Sequence, residues 1–312
     1  MVSDFNLTIA SDSLGLSQPL TKLVETVARG AGILYEPIHK KRMAKATAEE
    51  IQTIADVCQK NLQIPIDYEK DGVVVSTNKQ IADLAKRAML RNLAQEMNKQ
   101  QNIEGILEYT KKVLGNETEV SKEPVSQTWL SNFFEAAGHV EEEDLQKIWG
   151  KLLAGEIKQP NSYSLRTINV LKNMTTLEAR IFQKLSSFVV TIEREPVIPH
   201  YDKILEKYNV QYGEILLLDE CGLVNAQGTL HITFSSRPSS MLHIYNYDLQ
   251  ARLYENAGLN MHLQLNIYPL TAAGKELFRI VKEDSNMHFF KDYIKQIEED
   301  SKNISAQIYE RN

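Results

Sequence analysis

Apolar positions along this chain recur mostly at three- and four-residue steps, the period of a helix with one buried face. Leu16, Leu20, Leu23, Val24, Val27, Ala31 and Leu34 form the first such stripe. Gly30 and Gly32 weaken its last turn and Pro37 stops it. A basic cluster, His39, Lys40, Lys41, Arg42 and Lys45, leads into a second helix through Ile51, Ile54, Ala55, Cys58 and Leu62. The polar run from Pro65 to Gly72 reads as a loop and Val73 to Val75 as one short strand. Helical spacing returns from Asn78 to Leu114, first through Ile81, Leu84, Ala85, Ala88, Leu93 and Met97, then through Ile103, Ile106, Leu107 and Val113. Gly115 ends it. The acidic, Pro-terminated segment 116–124 suits a linker between modules.

Ser126 is placed to cap a helix whose Trp129, Leu130, Phe133 and Phe134 make a dense aromatic face before Gly138. Glu141, Glu142, Glu143 and Asp144 open the next helix, where carboxylates favour the positive end of the macrodipole. Leu145, Ile148, Trp149, Leu152 and Leu153 carry it to Gly155. Thr175 and Glu178 have capping-box spacing for a helix through Ile181, Leu185 and Val189. A second helix is expected around Asp202 to Tyr208, and a third from Gln211 to Cys221, stopped by Gly222. Strand-like stretches follow at Leu230 to Phe234, Leu242 to Tyr247 and Leu263 to Tyr268, and Thr271 caps a closing helix through Leu277 and Val281. Helices, a hairpin and a helix are in winged-helix order. A final amphipathic helix carries Phe289, Phe290, Tyr293, Ile294 and Ile297 on one side and is expected to pack on its own domain or on a sister subunit.

These elements predict a mainly α (α+β) chain. It comprises a flexible arm (1–13), a helical N-terminal region (14–115), a central helical module (125–173), a winged-helix-like module (174–284) and a C-terminal amphipathic helix (285–312). At 312 residues the length suffices for several cores, and 43% hydrophobic content is ordinary for a globular protein. The net charge of -6 argues against a whole-chain polyanion binder, so any nucleic-acid site must be local. Cys58 and Cys221 each sit in an apolar helical pattern and read as reduced packing residues. Met1 to Ala10 carries Asp4 and Asn6 and lacks a basic start, so no secretory signal is expected. The first apolar stripe is interrupted by Lys22, Glu25 and Arg29, and nothing reaches the ~18 uncharged apolar residues of a spanning helix. The expectation is a cytoplasmic protein, at most peripheral to a membrane.

Three stretches carry a family resemblance. The first runs from Leu16-Ser17-Gln18-Pro19-Leu20-Thr21-Lys22-Leu23 through Gly32-Ile33-Leu34-Tyr35-Glu36-Pro37 to Arg42-Met43-Ala44-Lys45-Ala46. The second is Gln101-Asn102-Ile103-Glu104-Gly105-Ile106. The third and most specific is Trp149-Gly150-Lys151-Leu152-Leu153-Ala154-Gly155-Glu156-Ile157, with Pro160, Ser162 and Ser164-Leu165-Arg166-Thr167 after it. Together they resemble an uncharacterised bacterial family known only as a domain of unknown function, with a more distant likeness to the abortive-infection protein Abi-alpha. The resemblance implies a bacterial or prophage-borne protein and, through Abi-alpha, a part in phage defence. It implies no catalytic residues.

The chain has no Gly-rich phosphate loop, HExxH, paired CxxC or GxSxG, and so no recognisable enzyme active site, cofactor motif or metal motif. Glu156-Ile157-Lys158 has the ExK spacing of metal-dependent nucleases, with Asp144 upstream. That chemistry needs a strand, and here the residues follow a helix that Gly155 is expected to end. His231, His243 and His262 fall on the strand-like stretches, with no carboxylate or cysteine to complete a metal set. Tyr245, Tyr247, Tyr254 and Tyr268 read as sheet packing rather than a base-stacking platform. In the third helix of the winged-helix-like module, Gln211, Tyr212, Glu214, Asp219 and Glu220 are neutral or acidic, which disfavours DNA.

The leading expectation is therefore a non-enzymatic interaction or regulatory protein, partnered by another protein or by itself as a homo-oligomer. Trp129, Phe133, Phe134 and Trp149 are the candidate interaction face. One alternative is a nucleic-acid-binding winged-helix regulator. Another is a membrane-surface effector in which Lys40, Lys41, Arg42 and Lys45 form an anion or membrane-surface patch beside the apolar stripe. The second needs Leu20, Leu23 and Val27 to be uncovered.

Overall fold

The computed structural model describes residues 17–30, 66–69, 72–75, 79–228, 230–236, 241–246, 248–255, 261–282, 284–301 and 303–311. The arm, the Pro37 stop, the basic cluster and the second helix with Cys58 lie outside the described residues. The chain divides into two compact units between Asn161 and Ser162, where the sequence reading placed a separate central module at 125–173.

In the first unit α1 (Gln18–Gly30) precedes a hairpin of β1 (Ile66–Glu69) and β2 (Gly72–Val75). The Pro65 to Gly72 stretch thus contains a strand where a loop was expected. Next come a 36-residue helix α2 (Lys79–Leu114), then α3 (Gln127–Ala137) and α4 (Glu143–Lys158). The α2–α4 packing is close at Gly150, where a Cβ would lie 2.6 Å from the Tyr109 Cβ and 3.0 Å from the Ile106 carbonyl oxygen. Segment 116–124 is not a linker between modules. Ser121 N–H donates to the Lys158 carbonyl at 3.0 Å, Lys158 pairs with Glu117 at 2.8 Å, and Lys22 on α1 donates to the Ser121 and Glu123 carbonyls. These bonds tie the segment to α1 and α4 and so draw it into the unit.

The second unit is built on a seven-stranded antiparallel sheet in the order β5-β8-β4-β3-β6-β7-β9. Its elements are α5 (Leu165–Lys172), α6 (Thr176–Ser186), β3 (Val190–Ile192), β4 (Glu195–Pro199), α7 (Asp202–Lys207), α8 (Tyr212–Glu220), β5 (Leu230–Ser236), β6 (Leu242–Tyr245), β7 (Leu249–Glu255), β8 (Met261–Pro269), α9 (Ala272–Val281), α10 (Met287–Asp300) and β9 (Ile304–Glu310). The expected capping box is present: Thr175 Oγ1 accepts from Glu178 N–H, and the Glu178 carboxylate accepts from Thr175 N–H at 2.6 Å. Gly222 ends α8 just beyond Cys221 with φ +73°, the left-handed stop that glycine adopts without a Cβ penalty.

The closing helix α9 is capped by Thr271, whose hydroxyl also donates to the Gly222 carbonyl at 2.6 Å. At Gly274 a Cβ would sit 2.0 Å from the Leu223 carbonyl oxygen, so α9 rests directly on the turn after α8. Glu276 on α9 accepts from Ser164 N–H at 2.7 Å and from the Thr167 hydroxyl at 2.6 Å. The Ser164-Leu165-Arg166-Thr167 stretch is thus a helix start pinned to α9. Phe289, Phe290, Tyr293, Ile294 and Ile297 of α10 are buried, which settles that helix onto its own unit.

Several elements differ from those read in the sequence. Helix α4 continues through Gly155 to Lys158, and α10 stops at Asp300, leaving β9 where the helix was expected to continue. Strand β5 pairs with β8 rather than β6, and β6 pairs with β3 and β7. The β3–β4 hairpin falls in a stretch to which the sequence pattern assigns no element, and its turn residues, Glu193 at φ +50° and Arg194 at φ +72°, carry no turn signature.

Candidate functional site

The candidate interaction face is core. Trp129, Phe133 and Trp149 are 4%, 0% and 0% exposed, and Phe134 is 6% exposed. Phe133 stacks on Trp129 at 5.1 Å and meets Trp149 at 5.1 Å and Phe134 at 5.3 Å between ring centroids. This corrects the surface assignment: the apolar area of these rings is removed from water by α1, α2 and α4 of the same unit. Leu23 and Val27 are also buried and Leu20 half-buried, because α1 lays its stripe against α3 and α4. Lys40, Lys41, Arg42 and Lys45 lie outside the described residues.

Glu156 and Lys158 do not form a nuclease pair. Both are on α4, where a two-residue step turns side chains about 200° apart. Buried Glu156 accepts from the Asn161 N–H at 2.7 Å, while exposed Lys158 pairs with Glu117. His231, His243 and His262 are exposed on the sheet; His262 bonds Ser235 and His243 bonds Gln250. Among the described residues no group of three or more His, Cys, Asp and Glu side chains could hold a metal ion. Cys221 is a half-buried thiol outside any disulfide, pushed up to about 12 by burial and by the neighbouring Glu178 carboxylate, which favours the protonated form at neutral pH. A hollow of about 520 Å³ along α1 is lined by Lys22 and Arg29. Those cations already donate to the carbonyls of Glu123 and Val125.

A better site lies in the second unit, where β4 runs into α7. The ladder between β4 and β8 places Ile198 opposite Tyr268, and His200 N–H extends it by donating to the Asn266 carbonyl at 3.0 Å. The His200 ring then stacks on Tyr268 with centroids 4.1 Å apart, and its Nε2 lies 3.5 Å from the Asp202 carboxylate. On β8, Tyr268 shares a face with exposed Gln264 and half-buried Asn266, yet it is only 1% exposed. Among the described residues its hydroxyl and the His200 Nδ1 have no hydrogen-bond partner. An unpaired buried hydroxyl costs about 1–3 kcal/mol.

Two hollows, about 240 and 320 Å³, share Asp202, Tyr212 and Tyr268 as walls. Leu205, Val210 and Ile215 floor the first, with Glu206 at its edge. Burial drives the Tyr268 hydroxyl well above the ordinary tyrosine range, and the charges of Asp202 and Tyr212 add to the shift. It therefore acts as a neutral donor and acceptor. Nothing in the sequence pattern marks this cleft. The nearest signal was Tyr268, read there as sheet packing.

Beside the cleft, α8 turns Tyr212 (56% exposed) and Leu216 (39% exposed) outward one turn apart, with exposed Glu220 continuing the row. Fold and site together define an α+β protein with a side-chain-sized cleft beside an apolar and acidic helix face. Residues 86–294 match the family described as Protein of unknown function (DUF2806). That stretch is more than half of the 312 residues, and the chain belongs to this family. It begins within α2 and ends within α10, so it reaches into both units. No curated protein and no solved structure matches the chain.

Proposed function

We propose that this is a non-enzymatic partner-binding protein whose second unit presents a winged-helix-like arrangement for protein recognition. The arrangement is α6, β4, α7, α8 and the β5/β8 pair, with β6 and β7 inserted at the wing; the strand order β5-β8-β4 supports it. The carrying observation is the outward face of α8. Tyr212 and Leu216 are exposed on a helix whose sequence, YGEILLLDE, holds acids and no Lys or Arg. Such a face suits desolvation by an apolar partner surface and repels phosphate.

The test is recovery of native complexes from bacterial cells with the intact chain, comparing wild type with Leu216→Glu. The expected result is a discrete protein partner or homo-oligomer, free of nucleic acid, reduced at least tenfold by the substitution. Association indifferent to Leu216→Glu, or duplex DNA bound with a steep salt dependence, would overturn it. The acidic face of α8 favours this reading over a nucleic-acid regulator, and the burial of Leu23 and Val27 favours it over a membrane-surface effector. Among the described residues no helix is long and apolar enough to cross a membrane. The likeness to Abi-alpha makes phage challenge the setting for the comparison, with plating efficiency as the readout of a defence role.

A further inference from the structure

The cleft between α7, α8 and β8 combines features that the winged-helix-like arrangement itself does not require. Asp202 and Glu206 are exposed one turn apart on α7, so their carboxylates share a helix face at the cleft edge. Asp202 at the start of α7 serves the helix end as an ordinary first-turn acid. That role explains neither Glu206 nor the unpaired Tyr268 hydroxyl behind them. Among the described residues no Lys or Arg lines either hollow. Lys207, on the same short helix, is held at 2.6 Å by Asp292. Below the carboxylates lie the buried aliphatic side chains of Leu205, Val210 and Ile215, and the ring of Tyr212 forms a further wall.

We infer that this cleft binds one organic cation, an alkylammonium or alkylguanidinium group on an apolar stem, with Asp202 and Glu206 meeting the charge and the Tyr268 hydroxyl accepting a hydrogen bond from it. Carboxylates and aromatic faces attract such a group, and the aliphatic floor suits its methylenes. An anion is repelled by both acids. Hollows of about 240 and 320 Å³ lie at or below the lower end of ordinary ligand pockets, which fits a group the size of one side chain. The cation comes either from a free amine or from a Lys or Arg of a protein partner. Only the second source rests on the partner-binding reading.

The experiment is an NMR titration of the full chain, carrying labelled tyrosine and backbone amides, with n-butylammonium and n-butylguanidinium; sodium butyrate is the charge control. Saturable shifts are expected at Tyr212, Gln211 and Glu206 and at the Tyr268 ring, with no response to butyrate. Affinity should fall at least tenfold in Asp202→Asn/Glu206→Gln and several-fold in Tyr268→Phe, with circular dichroism unchanged. Should Tyr268→Phe fail to fold, the exposed α7 pair still decides the matter. A parallel arm uses acetyl-Ala-Arg-Ala-amide and acetyl-Ala-Lys-Ala-amide. Peptide affinity at least tenfold above the free cations supports the partner source, and equal or weaker peptide binding supports the free amine. No saturable shift with any cation, or affinities unmoved by the α7 substitutions, would overturn the inference. Because Leu216 lies outside the cleft lining, its test is independent, and the two failures are distinguishable.

Discussion

The aromatic face of α3 and the outer face of α8 both carry large apolar side chains, and the fold treats them in opposite ways. Trp129, Phe133 and Phe134 crowd one helix and suggest a contact surface, yet with Trp149 they close on one another and on neighbouring helices. Helix α8 mixes apolar residues with three acids, burying Ile215 and Leu218 and leaving Tyr212 and Leu216 outside. Density of apolar residues measures how much area can be removed from water. Which area is removed depends on what the chain brings to cover it.

The comparison breaks most visibly at Phe133. Phe133→Ala is expected to cost about 3–5 kcal/mol, read as a fall in the urea midpoint; a loss below about 1 kcal/mol would mean that the rings are not packed against each other. The next largest effect tests what holds α8 in place. Gly274→Ala sets a Cβ 2.0 Å from the Leu223 carbonyl oxygen, with backbone on both sides of the contact. A loss of about 1–3 kcal/mol is expected, even though alanine favours a helix interior over glycine by about 1 kcal/mol. A stabilised variant would show that the turn after α8 does not rest on α9.

Titration sharpens the same contrast at α7, where Asp292 on α10 accepts hydrogen bonds from Lys207 and Tyr208 at 2.6 Å each. Those bonds hold the Asp292 carboxyl below its ordinary 3.8. Its stabilisation is complete above that pH and is lost as pH falls through the lower folded value. Tyr208, pushed up to about 12 by burial and then by Asp292, stabilises fully below pH 10 and loses its contribution as pH rises from 10 to 12. Asp292→Asn should flatten the acid limb of a Tm-versus-pH profile relative to wild type; superimposable acid limbs would exclude the contact from the folded balance. The smallest effect is on the open face itself. Leu216→Ser should change stability by no more than about 0.5 kcal/mol while reducing partner recovery, and a large drop in Tm would mark Leu216 as core.

Helix periods, the Thr175 and Glu178 box, the Gly222 stop and the Thr271 cap were all legible in the sequence. Each is a local arrangement, fixed within about one helical turn by hydrogen bonds between near neighbours. Strand partnership was not legible. The pairing of Leu249 with Glu310 and of Thr191 with Tyr245 joins residues too far apart in the chain for any local pattern to announce. The cleft depends on the same non-local order: β4 must lie beside β8 before His200 can cover Tyr268, and α7 must follow before Asp202 and Glu206 reach its edge. Sequence by itself determined the start of α6, the stop of α8 and the start of α9, because each of those ends is fixed by a local balance. Tertiary structure alone decided which apolar faces close and which polar groups are left to receive something else, because burial depends on the partner surface as much as on the residue.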